Sequence, residues 1–138
     1  MIDSKNITDL IPQRAPFVMV DALTSVEAHR FESTFLIEAD NIFLSKDVLG
    51  ESALIENVAQ TSAAGFSMVE SAAGGEPKMG YIGSITRVEV HSLPKLGQTI
   101  RTIVEPTHRL DNIVMVKGSS FVGEVLLLSC EMKIVLSK

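Results

Sequence analysis

Between about Ser52 and Ala73 the chain runs through Ala, Leu, Ser and Met without a proline, then stops at Gly74-Gly75 followed by Pro77. That reads as one helix of about six turns at ~3.6 residues each. It constrains the fold more than any other feature, because the segments on both sides read as strands. Residues 17–29 alternate in polarity, and residues 31–37 interleave Phe31, Phe35 and Ile37 with Glu32 and Thr34. After the helix, strand-like segments cover 79–90, 98–106, 112–122 and 124–136. They are separated by Pro94-Lys95-Leu96-Gly97, by Arg109-Leu110-Asp111-Asn112 and by Gly123-Glu124, the last suited to a tight hairpin. In the final strand Leu126, Leu128, Cys130, Met132, Ile134 and Leu136 share one face, and Ser129, Glu131, Lys133 and Ser137 share the other. The economical arrangement is α+β: an antiparallel sheet wrapped around one long helix, over a single domain spanning 1–138.

The composition excludes several classes. The longest apolar runs, such as Val125-Leu126-Leu127-Leu128, fall far short of the ~20 residues of a membrane span. The first residues, Met1 to Asn6, have neither the basic start nor the apolar core of a signal peptide, and one cysteine makes no internal disulfide, so a cytoplasmic protein is expected. A net charge of −5 with no basic block gives no support for nucleic-acid binding. No His or Cys spacing points to a metal, and no Gly-rich phosphate loop points to a nucleotide. Cys130, alternating with leucines, is expected to be an inert core thiol.

Glu56, in Leu54-Ile55-Glu56-Asn57-Val58-Ala59-Gln60-Thr61, is the candidate for chemistry. It is an ionisable acid near the start of an apolar helix that a chain of this size must largely bury, and such a carboxyl costs free energy unless paired or used. At about 100° per residue, Leu54, Ile55, Val58, Phe66, Val69 and Ala73 gather on one side of the helix, with Glu56, Gln60, Ser67 and Glu70 in a stripe opposite. Two readings stay open. Either the stripe faces water, or it lines a seam or cleft in which Gln60, one turn on, donates a hydrogen bond to the Glu56 carboxylate.

The loop Leu10-Ile11-Pro12-Gln13-Arg14-Ala15-Pro16-Phe17-Val18-Met19-Val20-Asp21, the helix start Leu54 to Gln60, and Pro94-Lys95-Leu96-Gly97-Gln98 resemble three segments of the 3-hydroxyacyl-[acyl-carrier-protein] dehydratases, in the same order. Gly80-Tyr81-Ile82-Gly83-Ser84 and Val88-Glu89-Val90-His91 resemble the branch serving aryl-polyene-type lipid pathways. The resemblance implies a hotdog fold and dehydration of a 3-hydroxyacyl thioester in fatty-acid or polyene-type lipid synthesis. It implies no bound cofactor, since the phosphopantetheine arm belongs to the substrate. It also implies a partner, an acyl carrier protein or coenzyme A thioester.

In that family a loop histidine is the base and a helix carboxyl from the other subunit is the acid. Glu56 matches the carboxyl, whereas Gln13 stands at the histidine position, and a neutral amide takes no proton. Three readings follow: Glu56 acting as base and then acid, a hotdog thioesterase using Glu56 with Gln13, or a non-catalytic acyl-binding or accessory subunit. Arg14, Phe17, Gln60, Gly80, Tyr81, Ile82 and Gly83 are the candidates for substrate contact. One sheet covers only one side of a long helix, so a homodimer or higher oligomer is expected, with a heteromer whose partner supplies the base as the alternative. Gln13 of one subunit is then expected to approach Glu56 of the other.

Overall fold

Alternation in the strand segments becomes a six-stranded antiparallel sheet, and the small-residue run becomes the helix that fills it. The computed structural model describes residues 7–72, 74 and 80–136. In chain order these form helix α1 (Ile7–Leu10), strands β1 (Ala22–Glu27) and β2 (Arg30–Leu36), and a short hairpin of β3 (Leu44–Ser45) and β4 (Val48–Leu49). Helix α2 (Glu51–Ala72) follows, then β5 (Gly80–Val90), β6 (Thr99–Leu110), β7 (Ile113–Val122) and β8 (Val125–Leu136). The sheet order is β1-β2-β6-β7-β8-β5, which leaves β5 at one edge.

Helix α2 is buried on more than one side. From Asn57 to Ser67 every residue except Ala59 is buried. Leu54, Val58 and Phe66 pack into the sheet against residues such as Phe31, Val104, Val116 and Cys130. A second apolar cluster, Ile7, Ile11, Val20 and Leu23 with Ala63 and Ala64, lays the N-terminal segment over another face of the helix. Small residues allow this close approach. A Cβ on Gly65 would fall well inside contact with the buried Phe31 ring, which stacks edge-on to Phe66 with centroids 5.0 Å apart. Gly65→Ala is therefore expected to destabilise the protein by about 1–3 kcal/mol through overpacking, although alanine is the better helix former by ~1 kcal/mol. Urea unfolding checks this, and a rise in the midpoint would refute it.

Several boundaries differ from those expected. β1 begins at Ala22 rather than at residue 17, because residues 17–19 bond to side chains of α2 and not to a neighbouring strand. β6 runs past Pro106 to Leu110, so the turn expected over 109–112 contracts to Asp111-Asn112. Proline is tolerated there because the pairing of β6 with β2 ends at Val104 and a bulge follows between Pro106 and His108. The Pro94–Gln98 turn does not line the Glu56 cavity; it braces the β3–β4 hairpin, with Leu49 N donating to Pro94 O (2.9 Å) and Leu96 N to Asp47 O (2.9 Å). In β8, Leu127 and Leu128 are both buried, next to a register shift in its pairing with β7. Ala73 and Ser137, placed on faces by periodicity, lie outside the described residues.

Candidate active site

The second turn of α2 carries Glu56 and Asn57, and the third carries Gln60. Asn57 and Gln60 are buried and spend their amides on the loop before β1. Asn57 Nδ2 donates to Met19 O (2.7 Å), and its Oδ1 accepts a hydrogen bond from Thr102 Oγ1 of β6. Gln60 Oε1 accepts from Met19 N (2.7 Å), while its Nε2 donates to both Phe17 O (2.9 Å) and Glu56 Oε1 (3.0 Å). One buried amide thus joins the loop to the carboxylate. Met19 N–H would otherwise be buried without a partner, so the arrangement fixes the loop and the acid together.

The polar stripe on α2 is accordingly not a solvent face. Gln60 and Ser67 are buried and Glu56 and Glu70 half-buried, because α1 and the loop cover that side. The water-facing reading is overturned. A helix wheel presumes one wet side, and this helix has its middle enclosed.

Gln13 and Glu56 line one cavity of about 210 Å³ with Ala59, Ala63, Gly80, Tyr81, Ile82 and Ile134. Both residues belong to the same chain, so their meeting needs no second subunit. Gln13 Oε1 is buried and has no hydrogen-bond partner among the described residues. Glu56 Oε1 is held by Gln60, and the side chain keeps an open aspect toward the cavity. The β5 edge supplies Gly80, Tyr81 and Ile82. A Cβ on Gly80 would come within 3.1 Å of Ile134 and 3.8 Å of Ala63, so the glycine keeps room between α2 and the sheet.

The other candidates stand elsewhere. Arg14 Nη1 turns back onto Ile11 O (2.8 Å) and Gln13 O (2.7 Å), bracing the loop that includes the cis Ala15–Pro16 peptide. Phe17 holds Gln60 through its carbonyl, and its ring is exposed away from the cavity lining. Gly83 faces Lys133 and Val135 and is not among the lining residues. Sequence reasoning passed over Ala59, Ala63 and Ile134, whose only signal is small size or apolarity, and Asn57, whose polar side chain inside an apolar helix was the available hint.

Chemically, the cavity offers one carboxyl able to give or take a proton, one amide able only to accept or donate hydrogen bonds, and apolar walls. No histidine lines it: His91 sits beyond the end of β5, 3.7 Å from Glu89, while His29 and His108 border a different cavity. Among the described residues no group of His, Cys, Asp or Glu is arranged to hold a metal ion. Cys130 is buried, and burial, then the Glu131 charge, pushes its thiol up to about 11, which keeps it protonated and unreactive. Asp21 is also raised, by burial, against the opposing effect of the Leu36 N–H at 2.7 Å. It lies outside the Glu56 cavity.

Comparison with known proteins identifies the fold and the family. The chain is 26% identical, over 138 residues, to the 3-hydroxyacyl-[acyl-carrier-protein] dehydratase FabZ of Clostridioides difficile (strain 630), covering 96% of this chain and 95% of that protein. Its fold matches a chain of the dehydratase heterocomplex ApeI:P from Xenorhabdus doucetiae with a TM-score of 0.88 at 14% identity, over 96% of this chain and 91% of that one. It also matches a hypothetical thioesterase with coenzyme A from Streptococcus pneumoniae TIGR4, at TM-score 0.68 and 9% identity, over 83% and 84% of the two chains. These neighbours confirm the hotdog fold, a central helix against an antiparallel sheet. The profile of the ApeP-like family, described as ApeP dehydratase, matches residues 5–136, and with nearly its whole length inside that match the chain belongs to the ApeP-like family of hotdog dehydratases.

Proposed function

We propose that the protein is the carboxyl-bearing subunit of a dehydratase acting on 3-hydroxyacyl thioesters of fatty-acid or polyene-type lipid synthesis. The observation that carries this is the Glu56 carboxylate, held at 3.0 Å by Gln60 and opening onto an apolar-walled cavity that also contains Gln13. Dehydration requires a base to take the proton alpha to the thioester carbonyl and an acid to protonate the departing 3-hydroxyl, with water as the leaving group. Glu56 is the acid. The unpartnered Gln13 Oε1 is an acceptor suited to the 3-hydroxyl donor, so Gln13 orients the substrate but does not deprotonate it.

The alpha proton then needs a second group. On its own the chain must use Glu56 for both transfers, which is slow; a partner subunit that contributes the base restores the pair. The edge strand β5 supports such a partner, since it exposes Tyr81, Ile82, Val88 and Val90, and the first two also border the Glu56 cavity. A subunit seated there would stand beside the reacting atoms. The substrate carrier would be an acyl carrier protein or coenzyme A, whose phosphopantetheine arm is the only prosthetic group the reaction needs.

The purified chain, incubated with 3-hydroxyacyl and enoyl thioesters while enoyl absorbance and free thiol are followed together, tests this. Slow enoyl interconversion without thiol release is expected, and Glu56→Gln should lower it by ~10²-fold or more. Thiol release would assign hydrolysis instead, and saturable binding with neither reaction would leave an accessory role.

A further inference from the structure

Beyond its third turn, α2 borders a second cavity, of about 270 Å³, that shares no lining residue with the Glu56 cavity. Its floor is apolar, made by Phe66 and Val69 of the helix and Val114 of β7. Val69 lies about 20 Å along the helix from Glu56 at ~1.5 Å per residue. The rim differs in character from the floor: His29 comes from the β1–β2 turn, and His108 and Arg109 from the far end of β6. In a chain of net charge −5, this places a permanent cation and two imidazoles around one oily recess.

Arg109 donates from Nε to Asp111 O (3.2 Å) and is engaged only loosely beyond that. Its Nη2 lies 3.4 Å from Glu70 Oε1, and the two side chains are 44% and 21% exposed, so the pair is weak and easily exchanged. A guanidinium binds a carboxylate with two parallel N–H bonds, so Nη1 and Nη2 together can hold a ligand carboxylate where Glu70 makes one long contact. The recess is small, about 270 Å³, and its apolar floor suits a short alkyl chain. We propose that this cavity is a second binding site, for a short- to medium-chain carboxylate, with the alkyl chain on Phe66, Val69 and Val114 and the anionic head on Arg109 in place of Glu70.

Calorimetric titration of the whole chain with octanoate, with 1-octanol as the neutral probe, tests it. One saturable octanoate site per chain is expected, at least tenfold weaker in Arg109→Gln and in Val69→Trp, and at least tenfold weaker for 1-octanol. In proton spectra octanoate should move the imidazole signals of His29 and His108 and leave His91, beside Glu89, in place; this readout needs no variant. Absence of saturable binding, equal affinity for 1-octanol, insensitivity to either Arg109→Gln or Val69→Trp, or a shift confined to His91 overturns the proposal.

Discussion

Replacing Gln13 by histidine is expected to raise the rate of 3-hydroxyacyl thioester dehydration by ~10²- to 10⁴-fold, the range a positioned general base contributes. The substitution changes the chemistry and little else. Gln13 lines the Glu56 cavity but its Oε1 has no partner among the described residues, so its side chain does not hold the loop. The loop is held by Asn57, by Gln60 and by Arg14 on the carbonyls of Ile11 and Gln13, all of which remain. An imidazole there is a base when neutral, so the gained activity should climb as pH rises through the ordinary histidine range near ~6.5. Gln13→Asn, which keeps an amide, should give no gain. If Gln13→His also gives none across pH 5 to 9, the cavity is not where the thioester reacts.

Much of this arrangement was legible in the sequence, and where it was not the reasons are physical. Polarity alternation located the long strands, and the proline-free run bounded by Gly74-Gly75 predicted α2 to within a residue at each end. The loop and helix motifs carried the family, and the structure puts Gln13, Glu56, Gly80, Tyr81 and Ile82 around one cavity. What failed was any inference that needed to know which surfaces are covered. The Glu56–Gln60–Ser67–Glu70 stripe looks amphipathic on a wheel, yet Ile7, Ile11 and Val20 close over that side of the helix from a segment far away in sequence. Gly80 and Gly83 looked equivalent on either side of Tyr81, but one abuts Ala63 of the helix and the other the Lys133 side. Three-residue spacing in a strand already implies opposite faces. Gln60 matched a substrate contact by position, and only the three hydrogen bonds of its amide show that it serves the loop.

Gln60→Met should therefore cost far more than an ordinary change of similar size, about 2–4 kcal/mol. Met19 N–H would be left buried without an acceptor, and Phe17 O, only partly buried, would lose its donor. An unsatisfied buried group costs ~1–3 kcal/mol, and the more accessible carbonyl is assigned the low end of that range. Against a typical domain stability of ~5–15 kcal/mol this is a large fraction, visible as a lower urea midpoint with an unchanged slope. A loss under about 0.5 kcal/mol would mean that the loop is held without Gln60. The same side chain also donates to Glu56, so its loss should reach the chemistry. In the Gln13→His background, Gln60→Met is expected to remove most of the gained dehydration under conditions where the protein remains folded, because the new base and the acid are no longer fixed relative to one another. If the two substitutions instead act independently on rate, with a coupling near zero in a double-mutant cycle, Gln60 stabilises the fold without positioning the reacting groups.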